Sequence, residues 1–363
     1  MSLQPGRPWE ATAPVVLEWQ GGVQGHVRLL DQTRLPEQEV YLECRTVEEV
    51  HAAIRRLCVR GAPAIGLAAA YGFVLGIRQR FATGPFLHVV AEVSQLLRTA
   101  RPTAVNLFWA LERMEAAARE VEADDLESIL RRLLQVAQDL QQAEAERCYR
   151  IAEHGVHLLT DGIGVLTHCN TGALATGAWG TALAPLFLAW ERGKRFRVYV
   201  DETRPLLQGA RLTAWELAKR GIPTTVMCDS AASVLMRAGQ VQLVLVGADR
   251  IAANGDVANK IGTYGLALAA RAHGIPLYVA APTSSFDLGM ADGTCIPIEV
   301  RAAEEVAYCG NRRTVPEGVA VYNPAFDVTP APLISGIITE RGIITPVNAA
   351  SVAQALGELS SRT

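Results

Sequence analysis

The chain has 363 residues, half of them apolar and 20% charged, with a formal net charge of −3. That length accommodates two domains with sizeable cores, and the composition excludes a mainly disordered chain. The missing basic excess argues against a general nucleic-acid or membrane-surface binder and points to a small ligand.

Seven cysteines (Cys44, Cys58, Cys148, Cys169, Cys228, Cys295 and Cys309) form no CxxC pair and leave one over in any disulfide scheme. The opening MSLQPGRPWEATAP has no apolar core after a basic start, so no signal peptide is expected. A reducing, cytoplasmic setting fits best. His154 and His157 stand three apart, but no cysteine or carboxylate set with zinc spacing joins them. Solvated helix histidines are the expectation there, not a metal site.

In chain order, the first ~45 residues alternate apolar and polar positions with turn signals at Gly21-Gly22 and Pro36, as small antiparallel strands do. Thr46-x-x-Glu49 reads as a capping box, with Val47, Val50, Ile54 and Leu57 along one helical face. Helical patterns follow at 64–80, 85–99 and 103–121, then a long amphipathic stretch at 124–158. Between Gly162 and Trp190 no residue is charged. His168, Asn170, Pro185 and five glycines interrupt that run, so a buried strand–turn–helix is expected rather than a membrane span.

After Asp161 the rhythm changes. Short β-rich runs at 163–167, 196–200, 224–228, 243–247 and 277–281 are separated by helical patterns at 173–191, 208–220, 230–238 and 258–273. This alternation predicts an α/β fold with a Rossmann-like parallel sheet covered on both faces. The reading is of two domains: 1–145, mainly helical with small antiparallel strands, and 146–363, the Rossmann-like part.

Ligands of open parallel sheets bind beyond the carboxyl ends of the strands. The residues there are His168-Cys169-Asn170-Thr171-Gly172, Asp201-Glu202-Thr203-Arg204, Asp229-Ser230, Gly247-Ala248-Asp249-Arg250 and Pro282-Thr283-Ser284-Ser285. Nearly all the polar, reactive side chains of the sheet thus collect on one edge. Arg60-Gly61-Ala62-Pro63 sits between two helical patterns, with Pro63 near the first position of the second. A helix N-terminus behind a glycine suits an anion such as phosphate, and so does Asn170-Thr171-Gly172; an ordinary helix turn explains either equally well. No Walker or dinucleotide fingerprint is present. Cys169 and Asp249 are the candidate chemical pair: a thiol biased toward thiolate, and an aspartate that keeps its proton in a water-poor pocket. Core filling by the one and helix capping or ion pairing by the other are the competing explanations.

Taken together, VRLLDQTRLP (27–36), VRGAPAIG (59–66), RPTAVNL (101–107), THCNTGALAT (167–176), YVDETRPLLQGARLTAWEL (199–217), GADRIAANGDVANKIGTYGLA (247–267), APTSSFD (281–287) and YNPAFDVTP (322–330) resemble the S-methyl-5-thioribose-1-phosphate isomerase family. The matches run almost end to end. The resemblance implies an aldose–ketose isomerase that converts 5-methylthioribose 1-phosphate to 5-methylthioribulose 1-phosphate in methionine salvage. It carries the catalytic pair onto Cys169 and Asp249, and substrate contacts onto Arg60, Gly61, Ala62, Arg101, Gln208, Asn259 and Lys260. It further implies a homodimer with no metal and no cofactor, acting on a small sugar phosphate without nucleic acid or membrane. Within the same superfamily, ribose 1,5-bisphosphate isomerase and a non-enzymatic regulatory subunit like those of translation-initiation factor two-B are the alternatives.

Overall fold

The computed structural model describes residues 14–101, 104–123 and 125–357. The leader reading of the N-terminus, Pro102 and Thr103 of RPTAVNL, and the first residue of the 124–158 pattern lie outside the described residues. By packing, the chain divides into two units: one takes the residues up to Glu146 together with Gly172–Gly180, the other Arg147–Thr171 and everything from Thr181 onward.

The first unit opens with an antiparallel sheet of β1 (Leu17–Gln20), β2 (His26–Leu30) and β3 (Tyr41–Cys44). Helix α1 (Val47–Arg55) starts at the anticipated capping box, in which the Thr46 hydroxyl accepts the Glu49 N–H and the Glu49 carboxylate accepts the Thr46 N–H. Helix α2 (Ala62–Arg80) is the centre of this unit: every residue from Ala64 to Ile77 is buried. A helix apolar on all sides must be enclosed, and α1, α3 (Phe86–Arg98) and α4 (Val105–Glu120) pack against it. The division between the units falls within α5 (Leu126–Gly155).

In the second unit β4 (Gly164–Thr167) is followed by two helices where the pattern at 173–191 suggested one. These are α6 (Ala173–Thr176), which belongs to the first unit, and α7 (Leu183–Glu191). The cause is local: Gly177 ends α6 in a left-handed conformation, with φ of 73°. Next come β5 (Arg197–Asp201), a π-helical turn at Gly209–Thr213, α8 (Ala214–Lys219), β6 (Thr224–Met227), α9 (Ala232–Arg237) and β7 (Leu243–Val246).

The 258–273 pattern is also corrected. Its first residues form β9 (Val257–Lys260), which pairs antiparallel with β8 (Arg250–Ala252). Gly262, at φ of 107°, separates that strand from helix α10 (Thr263–Ala272). Beyond β10 (Leu277–Ala280) the structure adds β11 (Phe286–Asp287), α11 (Glu304–Ala307), β12 (Tyr308–Cys309), β13 (Arg312–Arg313), β14 (Phe326–Thr329), β15 (Gly336–Thr339), β16 (Gly342–Ile344) and α12 (Ala349–Gly357).

The main sheet runs β16-β15-β10-β7-β4-β5-β6, parallel except for the antiparallel edge strand β16. Strands β4 and β7 are buried at every position, as expected of a parallel sheet covered on both faces. Strand order reverses between them: from β4 the chain goes outward through β5 and β6, then returns to β4's other side as β7. A smaller sheet, β11-β8-β9-β14, hangs from the end of β7.

One buried bond ties the carboxyl ends of this unit together. His168, just past β4, places Nδ1 2.9 Å from Asp201 Oδ2 at the end of β5, and Nε2 2.8 Å from the Ile261 carbonyl before α10. A carbonyl only accepts, so Nε2 carries a hydrogen. Burial opposes a charge on His168, yet the Asp201 carboxylate and the Ile261 carbonyl outweigh it and raise its pKa above 6.5. Burial likewise raises Asp201 above the ordinary carboxyl value, the bond to His168 offsetting only part of that rise. Both groups therefore hold protons more tightly folded than unfolded. The imidazolium contribution is fully present below about pH 6.5 and is lost as pH rises through the folded value. Urea unfolding of the wild type should show stability falling as pH rises above about 6.5, and His168→Asn should flatten that slope. Equal slopes in the two proteins would exclude the pair as its source.

Candidate functional site

In an open sheet the crevice for a ligand lies where strand order reverses, beyond the carboxyl ends. Here that place is between β4 and β7. Cys169 follows β4, and Asp249 follows β7. The two loops meet: a Cβ at Gly247 would stand 2.5 Å from Thr171 Cγ2, so only glycine allows this approach.

Cys169 is half-buried between buried His168 and Asn170, and its φ is 62°. Among the described residues, three of the four non-glycine positions with positive φ (Cys169, Thr203 and Leu207) lie at this edge, where β4 and β5 end. Such backbone persists only where its surroundings hold it, and it concentrates at functional sites. Asp249 is exposed, which departs from the water-poor pocket expected of a proton-holding carboxyl. Its N–H donates to the Ala258 carbonyl at 2.9 Å, so the β8–β9 hairpin returns Asn259 and Lys260 alongside it. Arg250 is engaged with Asp287 at 3.5 Å.

Lys260 is the unusual member. It is 6% exposed, and its ammonium makes no hydrogen bond or ion pair among the described residues. Glu305 feels its charge, but that carboxylate is already bonded to Arg301 and Asn323. Gln208, which opens the π turn after β5, is also buried, and its Oε1 lacks a partner. Asn259 donates from Nδ2 to Thr263 Oγ1 at 3.0 Å.

The remaining substrate candidates belong to the first unit. Arg60 is half-buried, and its Nε donates to Gln32 Oε1 at 3.3 Å; Gln32 Nε2 donates in turn to the Leu174 carbonyl at 2.8 Å. Gly61 is the N-cap of α2 at φ of 89°, no side chain caps that helix, and Ala62 begins it. A Cβ at Gly61 would lie 2.3 Å from the Ala175 carbonyl oxygen. Arg101 is half-buried, and its carbonyl accepts the Ala104 N–H at 3.1 Å. The Asn170-Thr171-Gly172 motif leads into a helix of only four residues, too short to serve as an anion site through its amides.

Sequence reasoning placed His168, Asp201, Thr203 and Asp229 at strand ends without giving them roles, and it passed over Thr213 and Glu216. The structure links them. Asn170 Nδ2 donates to fully buried Glu216 at 2.8 Å, and Asp229 accepts the backbone N–H of both Thr203 and Arg204. His168, Asp201 and Asp229 are near enough together to suggest a metal site among the described residues. Both ring nitrogens of His168 are already bonded, so the cluster does not fit a metal. His154 is half-buried and His157 exposed.

The model of the Initiation factor 2 subunit family matches residues 58–346. The chain is 54% identical to a methylthioribose-1-phosphate isomerase of Syntrophotalea carbinolica, over 90% of this chain and 95% of that protein. It is 50% identical to a 5-deoxyribose 1-phosphate isomerase of Moorella thermoacetica, over 96% and 98%. Among solved structures, 5-methylthioribose 1-phosphate isomerase from Pyrococcus horikoshii is similar at a TM-score of 0.89 and 42% identity, covering 95% of this chain and 96% of that one. The translation initiation factor eIF-2B delta subunit from A. fulgidus is similar at 0.87 and 44%, covering 95% and 100%. A match over so much of the sequence and fold means that the chain belongs to the Initiation factor 2 subunit family.

Proposed function

We propose that this protein is an aldose–ketose isomerase that converts 5-methylthioribose 1-phosphate to 5-methylthioribulose 1-phosphate, a step of methionine salvage. The observation that carries the reading is the placement of Cys169 and Asp249 at the ends of the two neighbouring strands between which sheet order reverses. The relatives' names supply the substrate class. The buried Gln208 Oε1 has no protein partner and would be satisfied by a sugar hydroxyl, for which a purely regulatory subunit has no use; this favours the enzyme.

The substrate's phosphate blocks opening of the ring through a free hemiacetal. An acid must therefore protonate the ring oxygen as its bond to C1 breaks. Overall, the hydrogen on C2 ends on C1, and the hydrogen of the C2 hydroxyl replaces the one delivered to the ring oxygen. Asp249 is the acid and proton shuttle. In an enediolate route Cys169, as thiolate, takes the C2 proton; in a hydride shift it stabilises the charge that develops beside it. The phosphate is held by Lys260, Arg60 and Arg101 and by the backbone amides of Gly61 and Ala62, with Gln208 and Asn259 on sugar hydroxyls. No metal or cofactor takes part in this scheme. The protein acts as a homodimer in the cytoplasm, a setting supported by seven cysteines with no CxxC pair.

A second reading is carried by the relative named for 5-deoxyribose 1-phosphate, which differs only in lacking the methylthio group. Incubating the protein with each sugar phosphate and following C1 and C2 by NMR separates the two by their kcat/KM ratio; silence with both would refute the enzyme. Cys169→Ser and Asp249→Asn should each lower kcat on the order of 100-fold or more with the fold intact by circular dichroism. A near-normal rate would remove that residue from the mechanism. Lys260→Met should raise KM about 10-fold to 100-fold, and inorganic phosphate should lose its competition with substrate in that variant. An unchanged KM would show that Lys260 does not bind the phosphate.

A further inference from the structure

A φ of 62° at Cys169 is backbone that a residue with a side chain adopts only under constraint. Two threonine hydroxyls supply the constraint, one on each side of the residue. Thr203 Oγ1 accepts the Cys169 N–H at 2.9 Å and donates to the Asp201 carbonyl at 3.0 Å. Thr213 Oγ1 donates to the Cys169 carbonyl at 2.6 Å and accepts from Asn170 Nδ2 at 3.2 Å.

A hydroxyl has one hydrogen, and each of these gives it to a carbonyl. The direction of both bridges is therefore fixed. Both threonines are 0% exposed, so no water can replace either hydroxyl. Each is itself anchored. The Thr203 N–H donates to Asp229 Oδ1 at 2.7 Å, and Thr213 closes the π turn Gly209–Thr213. That turn rests on the same Asp201 carbonyl, since a Cβ at Gly209 would lie 1.8 Å from its oxygen. A π turn built into a helix start is itself a frequent mark of a functional site.

We propose that Thr203 and Thr213 are positioning residues of the isomerase, whose hydroxyls clamp Cys169 in its left-handed conformation and so aim its thiol. The inference rests on the reading in which Cys169 takes part in the reaction. Neither threonine touches substrate in this scheme; both act through Cys169.

Thr203→Val and Thr213→Val keep the side-chain shape and remove the hydroxyl, whereas Thr203→Ser and Thr213→Ser keep the hydroxyl. The valine variants should lower kcat on the order of 10-fold to 100-fold with KM within about twofold, and the serine variants should restore kcat to within about threefold. Alkylation of Cys169 by iodoacetamide, followed by mass spectrometry without substrate, should change in rate in the valine variants and not in the serine variants. Valine variants with full kcat, or serine variants as slow as valine, would overturn the clamp. Cys169→Ser in the same assay keeps the two ideas apart. Full activity there overturns the role of Cys169, whereas an inactive Cys169→Ser beside fully active valine variants overturns the clamp alone. If the valine variants do not fold, hydrogen exchange of the wild type decides. The Cys169 amide lies outside the sheet ladder, so slow exchange fits the clamp and rapid, loop-like exchange overturns it.

Discussion

A parallel sheet buried on both faces has no place for a charged side chain except toward the ends of its strands. That constraint governs the second unit. Strands β4 and β7 are buried throughout and carry no ionisable side chain; the ionisable groups of the region stand beyond their ends. Once there, each needs a partner, because the loops that carry it are themselves largely buried. His168 finds Asp201 and Ile261, Asn170 finds Glu216, and the Asp229 carboxylate collects two backbone amides. What is left without a protein partner is correspondingly informative. Among the described residues at these strand ends, Thr167 Oγ1, Thr171 Oγ1, Asp201 Oδ1 and Gln208 Oε1 are buried without a protein hydrogen bond.

The alternation of β-rich runs with helical patterns was legible in the sequence because each of β4, β5, β6, β7 and β10 is a short, β-prone run that ends in a polar cluster. The edge of the sheet that carries the site was legible for the same reason. Local rules failed where distant residues decide. Val257–Lys260 resembles the start of a helix by spacing, but β8 and β14 on either side turn it into a strand. Strands β15 and β16 lie beyond the last β-rich run read from the sequence.

The site shows the same division. Cys169 and Asp249 stand in recognisable strand-end positions, whereas Thr213 lies inside a helical pattern where a threonine ordinarily means little. Its hydroxyl matters because it reaches the carbonyl of a residue 44 positions earlier. Nothing within a short window of sequence records such a partner. Asp249 illustrates the opposite limit: its place in the chain was plain, but its exposure was not.

The path of the backbone through the two units has a consequence for how the protein can be taken apart. Residues 172–180 are encoded after β4 yet pack with the first unit, where Ala175 lies against Gly61, Gly177 lies against Leu17 and Leu67, and the Leu174 carbonyl accepts from Gln32. A gene split at the division within α5 would strand this strip on the wrong fragment. The N-terminal piece would lose a part of its own interior, and the C-terminal piece would expose apolar residues that never face water in the intact chain. Neither unit is therefore a portable module, and the strip can reach its place only after β4 has left the ribosome.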